Sequence, residues 1–270
     1  DDLERQCDQL IRSSYYIQTD DEIIVDVTMN LDVVNWQQSN LPQEYFIDKF
    51  EHLKNRLKHY YTVEFDTDVN IGGCTDKRKS CYQKEQDFII WLDSDLYFSS
   101  QLLPLLVLAS KQVQDENFLI TPQIIKYWDD SWNCITNPMF LDQPHNHRDF
   151  FDLYSVDTIT TDQQPSLVKN NQIKFGGGWF NLIKSSVFNK VPLVDELGAY
   201  APDDTYLSMC AMKLNIPQYI LTGVVVSEVG KKFLEGKDYL KKQLKIKIQD
   251  KQKITDQQLY SLIEKFYAEH

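Results

Sequence analysis

The stretch FIIWLDSDLYF, residues 88–98, runs through a dry apolar segment and then presents two carboxylates, Asp93 and Asp95. Ser94 separates them, so both leave the same face of an extended backbone. Carboxylates aimed into one crevice repel each other unless a positive charge intervenes. A hard divalent cation, held by one or both and completed by water and phosphate oxygens, is the chemistry this pair suits. Such an ion would let a negatively charged protein grip a nucleoside diphosphate. Acidic residues number 40, so spaced pairs also arise without function, and Asp66 and Asp68 in EFDTDVN form another. What sets Asp93 and Asp95 apart is the buried-strand signal directly before them.

The elements that must position this pair follow from periodicity. Leu3, Cys7, Leu10 and Ile11 recur at helical spacing and predict an amphipathic helix over residues 3–17. EIIVDVT (22–28) predicts a strand; Phe46, Phe50, Leu53 and Leu57 mark a helix, and YYTVEF (60–65) a second strand. After the turn NIGG comes a short polar helix from about Thr75, then the strand DFIIWL, the helix SQLLPLLVLASKQVQ and the strand NFLITPQ. Residues 127–172 carry no clear period, and a loop of that length is usually functional. Beyond it GGGWFNLI (176–183) reads as a strand, DDTYLSMCAMKL (203–214) as a helix and QYILTGVVVSEVG as a strand. Two helices, DYLKKQLKIKIQDK and TDQQLYSLIEKFYAEH, complete the tail. Alternating helix and strand predicts an α/β fold with a mostly parallel sheet flanked by helices. In such sheets ligands bind beyond the carboxyl ends of the strands, where Asp93 and Asp95 stand.

Composition narrows the partners. The 270 residues are 42% hydrophobic, enough for a substantial core, and carry a formal charge of −12. A surface that negative repels phosphate backbones, so nucleic acid is not an expected partner. No apolar run approaches the ~20 residues of a transmembrane span, and DDLERQCDQL does not read as a signal peptide. Five cysteines without CxxC spacing read as reduced thiols of a cytoplasmic protein. His145 and His147, in the aperiodic segment, read as loop histidines.

FIIWLDSDLYF resembles the DxD segment of GT-A glycosyltransferases, in particular the family 2-like inverting enzymes. The likeness extends backwards, since NIGGCTDKRKS is similar to that family's N-x-G-x-x-x-A-R-N segment. Forwards, GGGWFNLIKSSVFNKV resembles its glycine-aromatic strand and following helix, and VDELGAYAPDDTYLSMCAMKLN its D-E…E-D-x-x-L helix. Together these cover about residues 60–225. The resemblance implies a GT-A (Rossmann-like) domain over 1–230, with a nucleotide-sugar half (about 1–125), an acceptor half (about 126–230), and a helical extension over 231–270. It implies transfer of a sugar, with inversion, from a nucleotide-diphosphate donor to a hydroxyl of a glycan or similar acceptor.

Carried over residue by residue, it implies that Asp95 coordinates Mn²⁺ or Mg²⁺ and that Asp93 shares the metal or contacts the ribose. Lys77 or Arg78 would stand near the nucleotide or its phosphates. Gly177 and Gly178 would allow close backbone approach to the donor, and Trp179 would offer a sugar platform on the acceptor side. Asp204 would be the general base, with Asp203 beside it holding an acceptor hydroxyl. An acidic residue at a helix start is also a routine cap, and Asp203 is the better placed of the two for that. A histidine often found in that family as a third metal ligand is absent from GVVVSEVG; Glu228 or waters could substitute, and Glu228 reads first as an exposed strand-end carboxylate. Two rival readings stay open: a haloacid-dehalogenase-like phosphatase using Asp93 and Asp95, and a non-catalytic sugar-nucleotide-binding module.

Overall fold

The computed structural model describes residues 2–17, 24–27, 40–65, 74–81, 86–93, 96–126, 135–136, 165–169, 180–198, 201–228 and 254–270. Helix α1 (Asp2–Ser14) leads into strand β1 (Ile24–Val27), helix α2 (Gln43–Leu57) and strand β2 (Thr62–Phe65). Short helix α3 (Cys74–Cys81) precedes strands β3 (Phe88–Leu92) and β4 (Leu96–Phe98), helix α4 (Leu102–Gln112) and strand β5 (Leu119–Lys126). Strands β6 (Ile135–Thr136), β7 (Ser166–Lys169) and β8 (Phe180–Lys184) follow. The chain continues through α5 (Ser186–Lys190), a 3₁₀ turn at Asp195–Leu197, α6 (Asp203–Lys213), β9 (Gln218–Glu228) and α7 (Asp256–Glu269). Most expected elements are present. The strands β6 and β7 fall inside the stretch that carries no sequence period, and the tail segment DYLKKQLKIKIQDK lies outside the described residues, as do His145 and His147.

The sheet corrects the expectation of mostly parallel strands. β1 and β2 form a parallel pair. Among the described residues the main sheet has seven strands, in the order β3-β8-β5-β9-β4 with β6 on β5 and β7 on β9, and of their pairings only β5–β9 is parallel. β4 runs antiparallel to β9 at the opposite end of this strand order from β3, although three residues separate Leu92 from Leu96. A buried apolar strand such as β8 looks the same in either direction, so local pattern does not set its sense.

That short link also bends the sheet. Five flat strands would place β3 and β4 ~19 Å apart, whereas the link reaches ~14 Å at most. The β5–β9 pairing carries an irregularity. The register of β9 on β5 shifts between Pro122, opposite Leu221, and Gln123, opposite Val225. Pro122 has no N–H to give the ladder, and Gly223 adopts a φ of 80°, which only glycine tolerates easily. Past this bulge, Val226–Glu228 of β9 pairs with Phe98–Leu96 of β4.

Side chains alternate to the two sheet faces. Ile89, Trp91, Leu119 and Ile183 pack with α6 and α7, while Phe180, Leu182, Ile120 and Val226 pack with β4 and α4. α1 and α2 close a smaller cluster through Cys7, Phe50, Leu53 and Leu57. α7 starts with a capping box in which Thr255 and Gln258 satisfy each other's backbone N–H groups. It then buries Leu259, Ile263 and Phe266 in the cluster behind α6, with Phe266 edge-on to Tyr206. No helix among the described residues is long and apolar enough to cross a membrane. We expect Phe266→Ala to lower unfolding free energy by about 3–5 kcal/mol, the usual result of emptying a buried aromatic site. Urea denaturation measures it, and a loss under about 1 kcal/mol would mean that α7 is not integral to this core.

Candidate active site at the end of strand β3

Strand β3 delivers the first carboxylate. Trp91 and Asp93 lie two residues apart and leave the same face. Trp91 is buried against Phe188 under α6, and its ring forms the floor beneath Arg78, whose guanidinium carbon sits 4.8 Å from the ring centroid. From there Arg78 Nη2 donates to Asp93 Oδ1 at 3.3 Å and Nη1 donates to Asp203 Oδ1 at 2.5 Å.

Helix α3 reaches this position through polar contacts. Thr75, Arg78 and Lys79 fall at i, i+3 and i+4 and so share one face. Thr75 Oγ1 accepts from the backbone N–H of Ala201 at 2.8 Å, Arg78 holds Asp203, and Lys79 pairs with Asp195 at 3.5 Å. Asp195, Ala201 and Asp203, the last at the start of α6, are thus each tied to α3. On the far side, α1 fastens the strand ends: Gln6 Nε2 donates to the Asp93 carbonyl and Gln9 Nε2 to the Phe98 carbonyl at 3.0 Å.

The two aspartates at the start of α6 differ sharply. The Asp203 side chain is 1% exposed, and its Oδ1 also accepts the backbone N–H of Asp204 at 3.0 Å. Burial pushes its pKa up, opposed by the Arg78 charge, and the net direction is upward. Its Oδ2 has no hydrogen-bond partner among the described residues. Asp204 is only partly buried, in the first turn of α6. The free thiols are poor candidates for chemistry: Cys7 and Cys210 are buried, with pKa values pushed up to about 11 and about 12.

The structure therefore brings together Arg78, Asp93, Asp203 and Asp204. Lys77 belongs to α3. Asp95, Gly177, Gly178 and Trp179 lie outside the described residues. Glu228 ends β9 opposite Leu96, which places its backbone beside the strand that follows Asp95. Sequence reasoning missed Thr75, Lys79 and Gln6. The i, i+3, i+4 spacing of the first two with Arg78 was visible, but nothing local names the segment they hold.

No group of three metal-ligating side chains occurs among the described residues. Asp93, a hard oxygen donor with 37% of its side chain exposed, fits an ion shared with a diphosphate, which takes one or two carboxylates rather than a protein cage.

No protein-family model and no curated protein matches the chain. Among solved structures it is similar to GalNAc-T7 in complex with UDP, GalNAc and Mn²⁺, at 12% identity and a TM-score of 0.47. The match covers 78% of this chain and 45% of that one, so the chain spans a little under half the length of that structure. A likeness this distant carries no argument about fold or activity here.

The raised pKa of Asp203 has a consequence for stability. Where the folded state keeps a proton that the unfolded chain has released, stability falls as pH rises. Wild type should lose stability relative to Asp203→Asn as pH climbs from the ordinary aspartate value near 3.8 through the raised one. Denaturation of both proteins at a series of pH values checks this, and a pH-independent difference would show that the carboxyl is not desolvated.

Proposed function

We propose that the chain is a GT-A-type glycosyltransferase, resembling the family 2-like inverting enzymes, that moves a sugar from a nucleoside-diphosphate donor to an acceptor hydroxyl, with a glycan as the acceptor class. The observation that carries this reading is the convergence on one guanidinium. Arg78, Asp93 and Asp203 come from three separate motifs of the resemblance, and Arg78 pairs with both carboxylates at the carboxyl end of β3. A strand end of this kind is where α/β folds place ligands.

In this reading the donor diphosphate lies over the end of β3, with Lys77 near the nucleotide and the backbone at Gly177 and Gly178 close to it. Mn²⁺ or Mg²⁺ held by Asp95 and Asp93 would supply charge stabilisation for the departing diphosphate. Trp179 offers an apolar face to a sugar ring. Inverting transfer is a single displacement, in which the acceptor oxygen attacks the anomeric carbon from the side opposite the leaving group. A hydroxyl attacks poorly at neutral pH, so a carboxylate must take its proton as the bond forms. Asp204 takes that role because it is the more accessible of the pair, while Asp203 is committed to Arg78 and to the helix start.

Asp204→Asn should keep the fold and most donor affinity while cutting turnover by ~10²–10⁴-fold, the usual worth of a general base. Nucleotide release from a panel of nucleotide sugars with Mn²⁺, read by mass spectrometry, measures it. Near wild-type transfer by Asp204→Asn with loss in Asp203→Asn would reassign the base. Hydrolysis of phosphate monoesters instead would favour a phosphatase, and binding without turnover a non-catalytic module.

Asp95→Ala should remove the Mn²⁺-dependent part of nucleoside-diphosphate binding in calorimetry without lowering thermal stability. Unchanged affinity would remove Asp95 from the site.

A further inference from the structure

One guanidinium serves two carboxylates among the described residues, and its contacts with them are unequal. Arg78 meets Asp203 at 2.5 Å, and that carboxylate is 1% exposed. It meets Asp93 at 3.3 Å, and that carboxylate is 37% exposed. The first pair lies in low dielectric, where separating it would strand a buried charge. The second faces water, which screens it. Stacking on Trp91 further holds the guanidinium in place. A competing cation therefore takes Asp93 from Arg78 far more easily than it takes Asp203.

We propose that Arg78 is the resident countercharge of Asp93 while the site is empty, and a positioning residue that couples cation binding at Asp93 to Asp203 at the start of α6. The inference rests on the reading of Asp93 as a cation ligand. A divalent ion at Asp93 repels the guanidinium, and the carboxylate passes from one to the other. Arg78 stays anchored on Asp203, and its freed N–H edge turns to the donor phosphates, for which a guanidinium fork has suitable geometry. Binding on the donor side is thus transmitted to the helix whose next residue is Asp204. In reverse, any weakening of the Asp203 anchor returns Arg78 to Asp93 and opposes the cation.

Direct Mn²⁺ binding to the whole chain without nucleotide, read by electron paramagnetic resonance, tests this in five proteins. Wild type should bind and Asp93→Asn should bind far more weakly. Arg78→Gln should bind about tenfold more tightly, since a nearby positive charge is gone. Asp203→Asn should bind several-fold more weakly, because the guanidinium loses its buried partner and settles on Asp93. Arg78→Lys, which keeps the charge but not the fork, should stay within about threefold of wild type. Opposite shifts from two residues that do not touch the ion are not what general loosening produces, since loosening weakens both. Unchanged or weaker binding in Arg78→Gln, or unchanged binding in Asp203→Asn, overturns the coupling; should Arg78→Gln fail to fold, Asp203→Asn and Arg78→Lys decide alone. Loss of the coupling with an intact Asp93 site leaves the proposed transferase reading standing. Mn²⁺ binding that is absent in wild type, or unaffected by Asp93→Asn, removes the coupling and Asp93's metal role together.

Discussion

A carboxylate as deeply buried as that of Asp203 must be compensated, and Arg78 is the compensation. That requirement reaches far into the fold. Arg78 needs a floor, which Trp91 provides from near the carboxyl end of β3. Trp91 in turn needs the cover of α5 and α6, where it meets Phe188. α6 is pressed onto the sheet by α7 through Tyr206 and Phe266. A single ion pair thus sits at the junction of a helix from the first third of the chain, the strand β3 at one end of the described strand order, and the packed helices α6 and α7.

Helix α3 is unusual among these parts. Its sequence, CTDKRKSC, has almost nothing to bury, so propensity and hydrophobic packing do little to place it. Thr75, Arg78 and Lys79, among its described side chains, hold it by hydrogen bonds and charge. Elements secured in this way respond to the ionic state of their partners, whereas elements secured by packing do not. The rigid part of the site is the strand end, and the responsive part is the helix beside it.

Much of this was legible in the sequence, for specific reasons. FIIWL is dry enough to demand burial, and the carboxylates after it are conspicuous. α2 and α7 show their buried stripes at helical spacing. What escaped notice has equally physical causes. β4 is three residues long, too short to show a period. β7 is largely exposed, so SLVK has no alternation to read. β8 is buried along four of its five residues, and such a strand carries no mark of its direction. The pairing of Arg78 with Asp203 spans 125 positions, and no local rule connects two charged residues so far apart. Resemblance suggested that both belonged to the site without suggesting that they touch.

The two glutamines of α1 hold the strand ends by their backbone carbonyls, at Asp93 and at Phe98. A backbone carbonyl is the same whatever side chain its residue bears. The clamp is therefore blind to the chemistry mounted on the segment it grips. Apart from Leu96, which is buried in the core, residues between the two anchor points can change under selection for a different ligand while the clamp's own contacts stay intact, so the scaffold and the specificity of this site can evolve on separate schedules.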